Sequence, residues 1–304
     1  MKAQEQFVRS ADESNAANSS IMREHFAAEA AGDTSHGLSL LTSGCLYESV
    51  RDGSVRVQNY REALPAVHER LHRGFSNLSI CVTRAFATSQ FGCAEIELEG
   101  THVGTYQGHE ASGQVVVLHR AALFEFRAGK IARKHVYGDR RELSRILQGS
   151  SEKVRATPAH SDGAESAGDP EKHVVLMERH MRNEEVGNSS AVLAEMVPDG
   201  YYRLWGRGGA LITDPREITA IHEELIGGLE GLRLEIRRIV AAGQLGCVEL
   251  VVRGRHSSTF HGFEATGRPV EHHVLSVFSF RNDLVESETI YSDKGELERH
   301  ILGH

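Results

Sequence analysis

Cysteine is scarce and carries no pattern. The four present, Cys45, Cys81, Cys93 and Cys247, make no CxxC pair and no dense framework, which argues against a zinc ribbon, a dithiol redox site or a disulfide-stapled domain. Long apolar runs are missing as well: no stretch of about 18 apolar residues could span a bilayer, so no membrane partner is expected. The opening MKAQEQFVRSADESNAANSS lacks the apolar core of a secretory leader, and a reducing, cytoplasmic location is expected. Basic excess is the third absence. The 34 Lys and Arg are scattered among 42 Asp and Glu for a net charge of −8, leaving no basic stripe to track phosphates, so nucleic acid is not an expected partner.

What the chain does have is repetition. The stretch from Gly100 to Asp139 returns without a gap as Gly254 to Asp293: GTHVGTYQGHEASG answers GRHSSTFHGFEATG, LFEFRAGKI answers VFSFRNDLV, and HVYGD answers TIYSD. His102 and His256 stand 154 residues apart, as do Asp139 and Asp293. Carried backwards, the same register pairs Tyr47 with Tyr201, His68 with His222, Arg84 with Arg238, and Gly92-Cys93 with Gly246-Cys247. Such a period is far beyond the roughly 20–50 residues of a solenoid unit, so each copy is a domain of its own. The expected boundaries are 18–148 for the first domain and 171–304 for the second. Between them, the Ser-, Gly- and charge-rich 149–170 reads as a flexible linker.

Each copy opens with helices. IMREHFAAEAAG carries a helical pattern closed by Gly32, Asp169-Pro170 suits a helix start, and residues 1 to about 17 read as a polar, frayed lead-in. Strands are expected from near Tyr47 and Tyr201. An amphipathic helix follows, with Leu64, Val67, Leu71 and Phe75, or Ile218, Ile221 and Leu225, at helical spacing. Period-two runs then predict an antiparallel sheet, and a short helix closes each copy. Helices first and a long meander after them make the fold class α+β: two tandem domains, each a curved antiparallel sheet packed on N-terminal helices.

Several motifs bear on chemistry. Asp139 and Asp293 follow Tyr137 and Tyr291 by two, so on a continuing strand phenol and carboxylate share a face. A carboxylate in apolar surroundings could take and return a carbon-bound proton. The same aspartates open the patterns Asp139-Arg-Arg-Glu142 and Asp293-Lys-Gly-Glu296, which are also helix capping boxes. Both readings stand. His102 and His256 continue the apolar parity of their strands and should point inward, as ligand contacts or as core histidines; Arg84 and Arg238 call for a carboxylate partner or the sheet rim. Nothing in the pattern orients His119 or His273. Cys93 and Cys247 read as small buried hydrophobes rather than nucleophiles. The HExxH spelled by His68-Glu-Arg-Leu-His72 is discounted as a zinc site, since the second copy places Ile226 where the second ligand would be.

Taken in order and twice over, the Gly100–Gly104 run, the ATGR of Ala265–Arg268, the FxFxxGKI of Phe124–Ile131, the late Asp139 and Asp293, and the ILQG of Ile146–Gly149 resemble the SnoaL-like polyketide or ester cyclase family, within the nuclear transport factor 2 superfamily. The resemblance implies a cone with an inner apolar pocket and an intramolecular aldol step that uses neither metal nor cofactor. It assigns the acid/base role to Asp139 and Asp293, and leaves His102, His256, Tyr137 and Tyr291 as ligand-binding candidates. The chain departs from the family where His135 and Thr289 replace a Trp, and where Ser76-Asn77 and Glu230-Gly231 replace a Pro-Asp. The implied function is a cyclase or isomerase acting on a small hydrophobic polyketide-like or ester substrate. The alternative is a non-catalytic ligand-binding or scaffold protein of the same fold. Single-domain relatives pair through the sheet, so the two copies are expected to form an intramolecular pseudo-dimer.

Overall fold

The computed structural model describes residues 2–51, 54–149 and 168–303. The stretch read as a linker lies mostly outside them. The chain divides into two compact units, each built on one six-stranded sheet.

The first unit begins with α1 (Lys2–Ala31), followed by α2 (Thr34–Ser39), β1 (Leu41–Arg51), β2 (Ser54–Asn59) and α3 (Tyr60–Gly74). It continues with β3 (Phe75–Ala87), β4 (Phe91–His102), β5 (Val115–Arg127), β6 (Lys130–Tyr137) and α4 (Glu142–Leu147). The lead-in expected to fray belongs to α1 instead: the first glycine is Gly32 and the first proline Pro65, so nothing interrupts the helix before Gly32 ends it at φ 69°. The sheet order is β2-β1-β6-β5-β4-β3. β3, β4 and β5 pair antiparallel, and β1, which starts at Leu41 rather than near Tyr47, adds in parallel on β6.

The second unit repeats the plan with α5 (Pro170–Glu185), α6 (Ser189–Ala194), β7 (Met196–Leu204), a 3-10 turn (Trp205–Arg207), β8 (Ala210–Ile212) and α7 (Pro215–Gly228). Then come β9 (Leu229–Ala242), β10 (Leu245–His256), β11 (Pro269–Arg281), β12 (Leu284–Ser292) and α8 (Lys294–Leu302). As expected, Asp169 caps α5 and Pro170 is its first residue. The sheet order is β8-β7-β12-β11-β10-β9, antiparallel from β9 to β12 and parallel between β12 and β7.

In both units the opening helix packs against one face of the sheet. Met22 and Phe26 pack among Phe124 and Phe126 in one core; Met177 and Met181 pack with Phe278 and Phe280 in the other. The repeated Gly92 and Gly246 are needed for this approach, because a Cβ there would stand 2.9 Å from Met22 Sδ and 2.7 Å from Met177 Cε. The cysteines beside them, Cys93 and Cys247, are buried and unbridged.

The parallel strands correct the register upstream of the sheet. Tyr47 lies opposite Lys134, and Tyr202 lies opposite Glu288. Lys134 and Glu288 are 154 apart but Tyr47 and Tyr202 are 155 apart, so the partner of Tyr47 is Tyr202 and not Tyr201. The 155 offset extends through both opening helices and pairs His25 with His180, Glu29 with Glu184, and Leu40 with Glu195.

Candidate functional site

The second unit encloses a cavity of about 130 Å³. Leucine and valine side chains from three strands, among them Leu229, Leu234, Leu250, Val252 and Val274, make its walls. Glu184 from α5 and Glu288 from β12 supply its acidic lining, while Arg207 is an exposed member of the lining.

Around the two glutamates lies a buried polar cluster. Tyr202 Oη donates to Glu184 Oε1 at 2.8 Å and accepts from His180 Nε2 at 2.9 Å. The other ring nitrogen of His180, Nδ1, faces Glu195 Oε2 at 3.0 Å. With Tyr202's one proton committed to Glu184, both nitrogens of His180 face acceptors, which is the arrangement of an imidazolium. Its pKa is accordingly pushed up to about 10: burial opposes the charge, but the hydrogen bonds to Glu195 and Glu288 and the charge on Glu184 outweigh it. His222 Nε2 stands 3.3 Å from Glu184 Oε1.

Glu288 is fully buried, and its Oε2 lies 3.5 Å from His180 Nε2. Burial first, and then the negative charge of Glu184, hold its pKa above the ordinary carboxylate value. For Glu184 burial acts the same way, but the His222 and His180 rings and the Tyr202 hydroxyl keep its pKa below the ordinary value. Two carboxyl groups whose oxygens lie within 4.8 Å of one another therefore differ in proton affinity: Glu288 binds a proton more readily than Glu184 does. His180, Glu184 and Glu288 also lie close enough together to hold a cation. His180 Nε2, the nitrogen that faces both glutamates, is engaged with Tyr202 Oη at 2.9 Å.

The first unit uses the same positions differently. Lys134 occupies the place of Glu288, and its ammonium donates to both oxygens of Glu29 at 2.9 and 3.0 Å, to His25 Nε2 at 3.0 Å and to Tyr60 Oη at 3.2 Å. The tyrosine that donates to Glu29, at 3.0 Å, is Tyr60 from α3 rather than Tyr47, which stacks on it. Burial and the Lys134 charge lower the His25 pKa to about 3, so this histidine is neutral. Glu29, despite burial, is held at about 2 by Lys134.

The residues singled out from sequence lie elsewhere. Asp293 caps α8, its Oδ1 accepting from Gly295 N at 3.0 Å. Asp139 is buried two residues before Arg141, the residue that flanks α4. Glu142 and Glu296, their capping-box partners, instead fasten the last helix to the sheet: each accepts from a histidine Nδ1 at 2.7 Å, His119 or His273, and from the same residue's backbone N–H. His102 and His256 are fully buried, and their Nδ1 atoms hydrogen-bond Ser112 at 3.1 Å and Thr266 at 3.0 Å, stapling the following loop. Tyr137 is buried at the end of β6, and Tyr291 is buried with its ring stacked 6.3 Å from Trp205. None of Asp293, His256 and Tyr291 lines the cavity. Arg84 and Arg238 found carboxylates, Glu95 and Glu249. In the HExxH helix, His68 Nδ1 binds Thr34 Oγ1 at 3.0 Å and His72 Nε2 donates to the Glu29 carbonyl at 3.1 Å.

A family model described as SnoaL-like polyketide cyclase matches residues 21–147 and 214–301, more than half of the chain. The chain belongs to the SnoaL-like family. The first matched segment includes His25, Glu29 and Lys134; the second includes His222 and Glu288 but begins after His180, Glu184 and Tyr202. Among solved structures, one described as a SnoaL-like polyketide cyclase from Jannaschia sp. CCS1 is 14% identical, covers 45% of this chain and 96% of its own, and has a TM-score of 0.41. One described as a polyketide cyclase from Silicibacter sp. TM1040 is 26% identical, covers 46% of this chain and 96% of its own, and has a TM-score of 0.36. An LEH-like epoxide hydrolase from M. tuberculosis is 17% identical, covers 45% of this chain and 93% of its own, and also has a TM-score of 0.36. No curated protein sequence matches. Among the described residues, no helix of this SnoaL-like chain is long and apolar enough to cross a membrane.

Proposed function

We propose that the second unit is an acid/base catalyst for a small, largely apolar carbonyl compound, carrying out isomerisation or ring closure, and that Glu288 and Glu184 rather than Asp293 move the protons. The observation that carries this reading is Glu288: a fully buried carboxyl group that lines an apolar cavity beside a second carboxyl group, Glu184, with its pKa held above the ordinary value while that of Glu184 is held below it. In this reading Glu184 takes a proton from the carbon next to the carbonyl, while Glu288 donates its proton to the carbonyl oxygen. The resulting enol either regains a proton at another carbon, which completes an isomerisation, or attacks a second carbonyl of the same molecule, which closes a ring. His222 beside Glu184 and the His180 imidazolium stabilise the carboxylate between steps.

The first unit is proposed as the non-catalytic member. Lys134 neutralises Glu29 there, so neither an available base nor a proton-loaded acid remains.

The test is proton exchange. The full chain, incubated in D2O with 2-tetralone or a 3-oxo ester, is expected to speed loss of the α-proton NMR signal, and Glu288→Gln to reduce that acceleration about 10²–10⁴-fold. Equal exchange by Glu288→Gln and the parent protein would sink the proposal.

A further inference from the structure

Within that reading, the cluster has a member outside the cavity lining. Glu195 lies where α6 meets β7, 7% exposed, and its two oxygens have separate duties. Oε1 accepts from Arg179 Nε at 2.6 Å and from Asn183 Nδ2 at 3.0 Å; Oε2 accepts from His180 Nδ1 at 3.0 Å. The carboxylate is thus held from one side and aims its free edge at the ring. The first unit supplies the comparison: Leu40 stands at the position of Glu195, and among the described residues His25 Nδ1 has no hydrogen-bond partner. Where the carboxylate is present, the histidine offers a proton from both nitrogens. Where a leucine replaces it, the histidine accepts from Lys134 instead.

We propose that Glu195 is a positioning residue for the cavity: it fixes the His180 ring and keeps it doubly protonated, and through His180 Nε2 it sets the direction of the Tyr202 hydroxyl toward Glu184. The chain Glu195, His180, Tyr202, Glu184 then delivers a defined carboxylate to the cavity. The groups facing His180 are Glu184 on its own helix, Glu195 at the end of α6, Tyr202 on β7 and Glu288 on β12, with His222 on α7 reaching it through Glu184. Three carboxyl groups surround one ring, so a positive His180 is the arrangement that leaves the least uncompensated charge in a buried site. The His180 pKa near 10 agrees with this geometry.

The test is spectroscopic and needs no substrate. In 15N-labelled full-length protein, two-bond proton–nitrogen spectra at about pH 8 report the protonation of each histidine ring, with His180 assigned by its loss in His180→Phe. The parent protein is expected to show His180 protonated on both nitrogens. Glu195→Gln and Glu195→Leu are expected to lower its titration midpoint by more than about one pH unit, and Glu195→Asp to restore part of the shift. A neutral His180 in the parent protein at that pH overturns the proposal, whether or not the variants fold. So does an unshifted midpoint in folded Glu195→Gln. Because the measurement reads a ring and not turnover, it fails or succeeds separately from the proton-exchange test.

Discussion

Lys134 and Glu288 stand at one and the same place in their two sheets, the first opposite Tyr47 on β1 and the second opposite Tyr202 on β7. One residue of opposite charge turns a closed ion pair into an acid-lined cavity. Exchanging them is the most direct experiment. Glu288→Lys should recreate in the second unit the contact that Lys134 makes with Glu29, now with Glu184, so the variant should fold with an unchanged circular dichroism spectrum. Its proton-exchange activity should fall to the background rate, and a variant that keeps the parent activity would remove Glu288 from the mechanism.

In the first unit the ion pair is fully buried, and Lys134→Met would leave the Glu29 carboxylate without its counter-charge. Breaking such a pair typically costs about 3–5 kcal/mol. Urea denaturation should show a loss of that size for Lys134→Met. The double variant Lys134→Met with Glu29→Leu should recover much of it, because no charge is then stranded.

The pH dependence of the second unit follows from His180. Its folded pKa, about 10, lies above the ordinary 6.5, so the stability it contributes is fully present below about 6.5 and is lost as pH rises toward 10. The urea midpoint followed by tryptophan fluorescence, Trp205 being the one Trp of the chain, should fall between pH 7 and 10 in the parent protein. It should be nearly flat over that range in His180→Phe. A parent midpoint that does not move would contradict an imidazolium at this position.

Asp293 is separable from the cavity by chemistry. Asn caps a helix about as well as Asp but cannot serve as a carboxylate base, whereas Ala does neither. Asp293→Asn should keep both stability and proton exchange, and Asp293→Ala should lose about 0.5–2 kcal/mol by calorimetry with exchange per folded molecule unchanged. Loss of exchange in a fully stable Asp293→Asn, or in Asp139→Asn, would return the acid/base role to the aspartates that the family pattern points to.

The sheets and the duplication were legible because strand periodicity and a gapless 154-residue repeat reinforce each other from Phe75 onward and from Leu229 onward. The cluster was not, for two physical reasons. The second unit is one residue shorter before α7, so the fixed register set Tyr47 against Tyr201 and hid the pairing of His25 with His180 and of Glu29 with Glu184. Glu288 also sits at a position where the other copy has Lys134, and a charge reversal looks like a solvated surface until the parallel strand shows that both side chains point inward. A signal was available: His25 and Glu29, like His180 and Glu184, are four residues apart on an opening helix and so share one face. The aspartates drew notice because both copies keep them, yet at Asp293 the structure has a cap.

A protein that assembles two identical chains must carry every substitution twice, so a cavity tuned for reactivity imposes its instability on both halves. Fusing the copies removes that constraint. The first unit keeps Lys134 paired with Glu29 while the second sets Glu288 beside Glu184, an asymmetry that two copies of one identical sequence could not hold. Covalent duplication here is a way of breaking symmetry: the two copies carry opposite charges at one place in the sheet.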